Sequence, residues 1–252
     1  MIRAERIFKN FGDQQVLKGI DFTFEAGKTN LVIGKSGSGK TVLLKILVGL
    51  FKPTSGNVWY SDTNLVNADK NALRQLRMQV GMLFQGNALF DSLTIEENIR
   101  FPLDMFTQKT LKEKTDRVNY CLERVSLSGN NKKFPSEISG GMQKRVGIAR
   151  AIVLNPKYLF CDEPNSGLDP QTSITIDDLI QDITKEFKMT TIVNTHDMNS
   201  VMEIGENICL IDKGLLAWSG SKDQVLADDN ETLHDFIFAS PFLQKLVESI
   251  KK

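Results

Sequence analysis

Apolar positions in this chain fall into short continuous runs separated by longer stretches with helical spacing. The clearest short runs, which have the length of buried strands, occupy residues 29–33, 80–84, 158–161, 190–195 and 208–211. The stretch from Gly39 and the stretch 173–187 repeat apolar residues every three or four positions, which predicts helices. Near the amino terminus, residues 2–8, 19–24 and 58–60 are predicted to be further strands. Alternating strands and helices predict an α/β fold with a mostly parallel sheet flanked by helices.

The pattern becomes helical in the middle of the chain, over residues 86–150. Apolar spacing predicts helices at 111–125 and 143–153. Pro102 and Pro135 are expected to break the stretch, because proline lacks the N–H that a helix interior needs. This region is therefore interpreted as a helical insertion within an α/β core.

These patterns predict one domain, residues 1–252, with a helical subdomain at 87–153 inside a core formed by 1–86 and 154–252. The last segment is expected to be a helix that begins near Ser240 and Pro241. Its apolar face carries Phe242, Leu243, Leu246, Val247 and Ile250. This face is expected to pack on the body of its own chain, and a contact with a second copy is the alternative.

Composition and charge restrict the partners of the chain. Lys plus Arg and Asp plus Glu number 31 each, and a chain without net charge is a poor match for nucleic acid, whose phosphates favour a basic surface. No apolar run approaches the ~18 residues that cross a bilayer, so a role at a membrane is expected to depend on a partner. Cys121, Cys161 and Cys209 are expected to be reduced, buried thiols of a cytosolic protein. No zinc-site spacing is present.

A phosphate-binding loop is predicted between the strand 29–33 and the helix that follows it. Its residues, which fit the pattern G-x-x-x-x-G-K-[ST], are Gly34, Lys35, Ser36, Gly37, Ser38, Gly39, Lys40 and Thr41. Glycines allow backbone N–H groups to converge on phosphate oxygens at the positive end of the helix. Lys40 is expected to contact the β- and γ-phosphates of a nucleotide, and the Thr41 hydroxyl to bind Mg²⁺.

Acidic and imidazole side chains follow two other predicted strands. Asp162 and Glu163 end the apolar run 158–161, where Asp162 is expected to hold Mg²⁺ and Glu163 to orient and deprotonate the attacking water. Adjacent acids are usually a solvated surface pair, but the buried strand and the upstream phosphate loop favour catalysis here. His196 follows the next apolar strand and is expected at the same edge of the sheet.

The segment Ser139-Gly140-Gly141-Met142-Gln143 lies between the phosphate loop and the two acids. Gly140 and Gly141 permit close approach of the backbone to an anion, and a helix from about Met142 directs its N-terminus to the same place. Ser139 supplies a hydroxyl and also fits the cap of that helix. No other residue of the same chain is expected to require the two glycines.

These motifs, in this order over residues 11–197, resemble those of the ATP-binding-cassette (ABC) ATPases. The resemblance implies a P-loop ATPase core with an antiparallel β part and a helical subdomain, and it implies ATP and Mg²⁺ as cofactors. It further implies that two chains close head to tail around two ATP molecules, each held by the Lys40 loop of one chain and the Ser139 segment of the other. The residues implied to bind ATP in the second chain are Ser139, Gly141 and Gln143.

The same resemblance implies roles for side chains that carry little information alone. Gln85 would reach Mg²⁺ and water and link the site to the helical insertion, and His196 would contact the γ-phosphate. The loop 165–169 would connect the two copies. Phe11 is either a core aromatic or, by resemblance, the residue that stacks on adenine, and both interpretations remain open.

Three segments, 81–94, 139–145 and 161–170, resemble more narrowly the ATPases of MCE-type lipid transporters, which include the Mla phospholipid system. This resemblance implies a membrane permease and a lipid-binding MCE protein as partners. The chain would then lie in the cytoplasm, held by the permease at the cytoplasmic face of the inner membrane. The alternatives are the same ATPase serving a permease for another solute, and a soluble ABC ATPase acting on DNA or ribosomes. The short interval between phosphate loop and signature, and the single cassette, disfavour the soluble ATPase.

The segment 86–103 is where the family receives a cytoplasmic helix of the permease. Its larger apolar residues are Leu89, Phe90, Leu93, Ile99 and Phe101. They either line an apolar groove for that helix or fill the interior of the helical subdomain.

Overall fold

A computed structural model describes residues 1–238, and the helix expected from Ser240 onward lies outside them. Its strands, in chain order, are β1 (Ile2–Phe11), β2 (Gln14–Phe24), β3 (Thr29–Ile33), β4 (Ser55–Tyr60), β5 (Thr63–Asn64), β6 (Val80–Leu83), β7 (Tyr158–Asp162), β8 (Thr190–Asn194), β9 (Asn207–Asp212) and β10 (Leu215–Gly220). Its helices are α1 (Lys40–Leu47), α2 (Lys70–Met78), α3 (Ile95–Phe106), α4 (Leu111–Arg124), α5 (Gly140–Ile152), α6 (Pro170–Phe187), α7 (Met198–Ile204), α8 (Lys222–Val225) and α9 (Glu231–Ile237). Within the described range, no helix combines the length and apolar character needed to cross a bilayer.

The larger sheet has six strands in the order β10-β9-β3-β8-β7-β6. All neighbouring strands are parallel except β10, which pairs antiparallel with β9, so the predicted mostly parallel α/β core is confirmed. Strands β3, β7 and β8 are buried along their whole length, as expected for continuous apolar runs covered on both faces. Because these three strands are parallel and adjacent, their carboxyl ends at Ile33, Asp162 and Asn194 lie side by side at one edge.

The smaller sheet is antiparallel, with four strands in the order β2-β1-β4-β5. Its apolar residues, such as Ile7 and Leu17, form one buried cluster with Leu43 and Leu47 of α1. The predicted antiparallel β part is therefore present and covers the helix that follows the phosphate loop. Strand β2 begins at Gln14, earlier than the predicted residue 19, because its polar first residues pair with the end of β1.

Helices α3, α4 and α5 pack against one another and form the helical region. Thr94 and Thr110 cap α3 and α4 with complete capping boxes. In each, the threonine hydroxyl accepts from the backbone N–H of a glutamate in the first turn, and the carboxylate of that glutamate accepts from the backbone N–H of the threonine. The prediction that Pro102 breaks the stretch was wrong, because Pro102 lies inside α3. A proline inside a helix costs about 3 kcal/mol. Burial of Ile99 and Leu103 on the same helix contributes roughly 1.5–3 kcal/mol each, which is enough to offset that cost.

The helical region shares its apolar interior with the large sheet. One continuous cluster contains Leu103 and Leu122 from the helices together with Leu31 and Ile33 of β3. The sheet strand that leads into the phosphate loop is therefore packed in the same core as the helices. The subdomain limits at residues 87 and 153 stay a prediction.

Candidate functional site

The phosphate-binding loop connects β3 to α1 at the carboxyl edge of the large sheet. Gly34 has a φ of 145°, and a Cβ placed on it would lie 2.2 Å from the backbone oxygen of Ile211, so no larger residue fits. Gly39 caps α1 with a φ of 111° and no side-chain hydrogen bond, which leaves the first N–H groups of the helix available. The open side of Gly37, where a Cβ would meet nothing within 4 Å, gives a ligand room to approach.

Lys40 and Ser38 place buried polar atoms beneath this loop. The Lys40 side chain is 6% exposed, and its Nζ donates to the carbonyl oxygens of Gly34 at 2.8 Å and Lys35 at 3.2 Å. Burial lowers the pKa of Lys40, against the opposing effect of Glu163 and Asp162. The Ser38 hydroxyl is buried without a hydrogen-bond partner. A cationic group in a cradle of N–H donors fits the phosphates of a nucleotide.

The predicted Mg²⁺ residues Thr41 and Asp162 are joined by the side-chain amide of Asn194, which was not a predicted site residue. Asn194, the last residue of β8, donates from Nδ2 to Asp162 Oδ1 at 2.5 Å and to Thr41 Oγ1 at 3.3 Å. The Thr41 hydroxyl oxygen and the Asp162 carboxylate oxygen therefore lie next to the same amide nitrogen, as expected for two oxygens that would bind one Mg²⁺. The signal in the sequence is an amide side chain that follows the apolar pair Ile192 and Val193 at the end of a buried strand.

Glu163 and His196 face each other beside the phosphate loop. Glu163 has a φ of 48°, and its N–H donates to the Asn194 carbonyl oxygen at 2.9 Å, which fixes this left-handed turn at the end of β7. Its carboxylate Oε2 lies 2.8 Å from His196 Nδ1. The carboxylate is largely shielded from solvent and the imidazole is exposed. A shielded carboxylate next to an open imidazole is suited to holding a water molecule for attack.

Gln85 follows β6 and reaches toward the loop after Glu163. The side-chain Nε2 of Gln85 donates to Ser166 Oγ at 3.4 Å. The backbone carbonyl oxygen of Gln85 accepts from Lys144 Nζ at 2.5 Å. Lys144 lies in α5 and is 2% exposed, and burial lowers its pKa. Lys144 lies within the predicted motif 139–145, but helical spacing alone does not show which lysine points inward, so this buried contact could not be predicted.

A second cation of α5 holds the residues after Gln85. Arg150 donates from Nη2 to the Asn87 carbonyl oxygen at 2.6 Å and from Nη1 to the Ala88 carbonyl oxygen at 2.7 Å. Asn87 and Ala88 have φ values of 59° and 49°, which are unfavourable for residues other than glycine. Helix α5 therefore holds the Gln85–Ala88 segment through three backbone carbonyl oxygens.

A cleft of about 670 Å³ lies over the phosphate loop. The predicted site residues that line it are Lys35, Ser36, Gly37, Gly39, Lys40, Thr41, Gln85, Glu163 and His196. Three further residues line it that were not predicted, namely Val16, Val42 and Phe236. Gly34, Ser38 and Asp162 are buried behind this lining. The buried Phe236, on α9 far from the other motifs in sequence, had no recognisable signal.

Phe11 lies outside the lining of this cleft. Its ring is 45% exposed and packs edge-to-face on Phe51 at 5.8 Å, with Lys9 Nζ 4.9 Å from the ring centre. The interpretation of Phe11 as a core aromatic was therefore wrong. Stacking on adenine stays a prediction.

Ser139, Gly141 and Gln143 also lie outside the cleft lining, at the start of α5. Ser139 caps this helix by accepting from the Met142 N–H at 3.3 Å, so the helix begins at Gly140 and the cap interpretation is confirmed. The Gln143 Nε2 donates to the Pro135 carbonyl oxygen at 2.9 Å within its own chain. A role for these residues on the nucleotide of a second copy stays a prediction.

The expectation that no residue of the same chain requires these glycines was wrong for Gly141. A Cβ at this position would lie 2.6 Å from Thr172 Cγ2. Thr172 is held in place because its hydroxyl donates to Asp169 Oδ2 at 2.5 Å. Asp169 is the N-cap of α6, which begins at Pro170 and not at the predicted residue 173. Gly141 therefore allows α5 to pack against the start of α6.

Comparisons with known proteins agree with this geometry. A family model described as "ABC transporter" matches residues 17–166. The chain is 36% identical over 94% of its length to "Probable ribonucleotide transport ATP-binding protein mkl" of Mycobacterium bovis, of which it spans 66%. It is 39% identical over 92% of its length to "Methionine import ATP-binding protein MetN" of Clostridium tetani, of which it spans 73%.

Solved structures give the same picture of the fold. The dimeric structure of the bacterial ABC transporter cassette MJ0796 is 30% identical, with a TM-score of 0.80 over 88% of this chain and 99% of that one. The same cassette has been solved as a dimer in a post-hydrolysis state with ADP and Pi. The structure of cbiO1 from Clostridium perfringens is 28% identical, with a TM-score of 0.84 over 98% of both chains.

Proposed function

The chain belongs to the ABC transporter family of ATPases, and from this premise we propose that it is the ATP-hydrolysing subunit of a membrane transporter. One observation carries the proposal. Lys40, Glu163 and His196 line one cleft, and the Asn194 amide holds Thr41 and Asp162 together behind it. A cation for phosphates, oxygens for Mg²⁺ and a base for water are the parts that phosphoryl transfer to water requires.

Each side chain contributes a separate part of the reaction. The N–H groups of the loop and Lys40 bind the phosphates and offset the negative charge that develops on them. Thr41, Asp162 and Gln85 would hold Mg²⁺, which supplies charge neutralisation between the phosphates when bound. Glu163 orients the attacking water and accepts its proton, and His196 holds the carboxylate of Glu163 on the cleft side.

The working unit in this proposal is a dimer of two identical chains. Ser139, Gly141 and Gln143 lie outside the cleft of their own chain, and the start of α5 is exposed to solvent. A head-to-tail arrangement brings these residues of one chain to the nucleotide of the other. The dimeric state of the similar MJ0796 cassette supports this arrangement.

A permease is the proposed membrane partner. Phe90 and Phe101 are both partly exposed, with ring centres 4.9 Å apart, and Met105 is exposed on the same helix as Phe101. Exposed aromatic pairs are typical of protein contact sites. Phe90 follows closely in sequence the segment 85–88, whose backbone carbonyl oxygens accept from Lys144 and Arg150. We propose that a permease helix bound at Phe90 acts on the site through this segment. Through the permease, the chain would sit at the cytoplasmic face of the cell membrane.

For the transported molecule, we propose a phospholipid or another lipid, carried with an MCE-type lipid-binding protein. The support is the resemblance of segments 81–94, 139–145 and 161–170 to the ATPases of such systems. A second candidate is import of another solute, which is favoured by the 39% identity to a methionine import ATP-binding protein.

Co-purification from native membranes tests both proposals. The tagged chain is isolated in mild detergent, and the bound membrane proteins and lipids are identified by mass spectrometry. A permease together with an MCE protein and enriched lipid supports lipid transport, whereas an amino-acid permease contradicts it. A Phe90→Ser/Phe101→Ser variant is expected to lose the permease, and a Leu215→Ser variant, which removes an exposed apolar side chain elsewhere, is expected to keep it.

A further inference from the structure

A chain of buried hydrogen bonds runs behind Glu163 and His196 without taking part in the cleft. The Ser200 hydroxyl donates to Asp177 Oδ2 at 2.7 Å, and the Asn165 Nδ2 donates to Ser200 Oγ at 3.0 Å. All three side chains are buried, and Asp177 is 3% exposed. Polar groups at this depth are costly unless they are paired, so the three residues hold each other in place.

The three residues belong to three different segments, two of which carry catalytic side chains. Asn165 lies in the loop that follows Glu163, and Ser200 lies in α7, which begins just after His196. Asp177 lies in α6, whose position is fixed by the buried residues Ile176 and Ile180. Through Ser200, Asp177 of α6 is therefore hydrogen-bonded to the segment after His196, and through Ser200 and Asn165 it is connected to the loop after Glu163.

A cavity of about 400 Å³ lies where the two loops meet. It is lined on one side by Glu163 and Asn165 and on the other by His196 and Met198. The Glu163 N–H, which donates to the Asn194 carbonyl oxygen, connects the two loops where they leave β7 and β8. Farther from these strands, the buried hydrogen bonds and the contact between Glu163 and His196 connect them.

Among the three hydrogen-bonded residues Asp177, Ser200 and Asn165, two acceptor atoms are buried without a partner, namely Asn165 Oδ1 and Asp177 Oδ1. Burial raises the pKa of Asp177 to about 6, and Asp197 and Asp178 act in the same direction, while Ser200 and Asn165 oppose it. Burial raises the pKa of the Cys161 thiol in β7, and the charge of Asp177 raises it further.

We propose that Asp177 is a positioning residue for ATP hydrolysis, which fixes the loop after Glu163 relative to the loop after His196 through Ser200 and Asn165. The inference rests on the proposed ATPase function. Its consequence is that loss of the buried chain alters the geometry of the attacking water but leaves the phosphate loop, and therefore nucleotide binding, intact.

The test compares steady-state ATP hydrolysis of full-length variants. Ser200→Ala and Asp177→Ala are expected to lower kcat about tenfold or more, with KM for ATP changed by less than about twofold. Asp177→Asn, which keeps an oxygen acceptor for the Ser200 hydroxyl, is expected to retain most of the activity. Asp178→Asn, the matched control on the exposed side of the same helix, is expected to behave as the unsubstituted chain.

Amide hydrogen exchange provides a readout that does not depend on activity. The Ser166 and Leu168 N–H groups bond to the Glu163 and Asn165 carbonyl oxygens, and their exchange is expected to accelerate in Ser200→Ala and Asp177→Ala. If both variants fold and keep the kcat and exchange of the unsubstituted chain, the proposal is overturned. If Asp177→Ala fails to fold, Ser200→Ala decides, because it removes one hydroxyl only. An unsubstituted chain without ATPase activity would overturn the proposed function instead, and the exchange data would still test the connection.

Discussion

His196 Nδ1 and Glu163 Oε2 lie 2.8 Å apart at the carboxyl edge of the large sheet. The contact joins residues that follow two adjacent parallel strands, β7 and β8, and it lies in the lining of the nucleotide cleft. Glu163 and His196 are therefore held together by a contact within their own chain.

Replacing Glu163 by glutamine is expected to keep nucleotide binding and to abolish turnover. The amide retains the shape of the side chain but cannot accept a proton, and loss of a general base costs about 10²–10⁴-fold in rate. The measurement is single-turnover ATP hydrolysis together with sedimentation, in which the variant is expected to accumulate as an ATP-bound dimer. Glu203→Gln, at an exposed position of α7, is the control. Turnover at the unsubstituted rate would remove Glu163 as the base.

Mixing two inactive variants is expected to restore activity if the site is shared between chains. Lys40→Ala removes the cation of the phosphate loop, and Ser139→Arg blocks the start of α5. In a mixed dimer, one of the two sites has neither substitution. ATPase activity of the mixture is therefore expected to rise above that of either parent, and a mixture as inactive as its parents would contradict hydrolysis across a dimer.

Lys144→Met is expected to lower kcat about tenfold or more while ATP binding is retained, because the Gln85 carbonyl oxygen loses its buried donor. Methionine fills a similar volume, and removal of a buried charge limits the loss of stability. Lys132→Met, at a position with 87% side-chain exposure, is the control for the added apolar group. Equal kcat values for Lys144→Met and Lys132→Met would show that the contact has no role in turnover.

Gly141→Ala is expected to destabilise the chain by about 1–3 kcal/mol, because the new methyl group meets Thr172. Replacing Thr172 by serine removes the contacting Cγ2 and keeps the hydroxyl that bonds to Asp169. The double variant is therefore expected to recover the thermal stability of the Thr172→Ser chain. Failure of this rescue would mean that Gly141 is required for a reason other than its packing on α6.

Asp177→Asn is expected to stabilise the chain at neutral pH more than at pH 5. Burial raises the pKa of Asp177 from its ordinary value of 3.8 to about 6, so between these pH values the folded chain keeps a proton that the unfolded chain has released. The resulting penalty develops as pH rises from about 4 and is complete above about 6, where it amounts to at most roughly 3 kcal/mol. Thermal unfolding of both chains at pH 5 and pH 7.5 measures it. A pH-independent difference between them would contradict the raised pKa.

Much of the site follows from the sequence because it is built at the ends of strands. The apolar runs before Gly34, Asp162 and His196 predict parallel strands, and parallel strands bring their carboxyl ends to one edge. The sequence alone therefore predicts that the phosphate loop, the two acids and the histidine lie at the same edge of the sheet.

The parts that could not be inferred depend on which way a side chain points. Lys144 lies among residues with helical spacing, and nothing local distinguishes it from the exposed lysines nearby. Phe11 has the size of a core residue but is the last residue of β1, where it stays partly exposed and packs on Phe51. The contact of Gly141 with Thr172 depends on the approach of two helices and has no pattern in either segment.

The continuous apolar cluster that joins the helical region to β3 has a consequence for how the chain unfolds. Leu122 of α4 and Ile33, which precedes the phosphate loop, belong to the same buried cluster. Helices and sheet are therefore expected to melt in a single cooperative transition rather than one after the other. A cavity made far from the nucleotide, as by Leu122→Ala, would lower the melting temperature of the strand that presents the phosphate loop as much as that of its own helix.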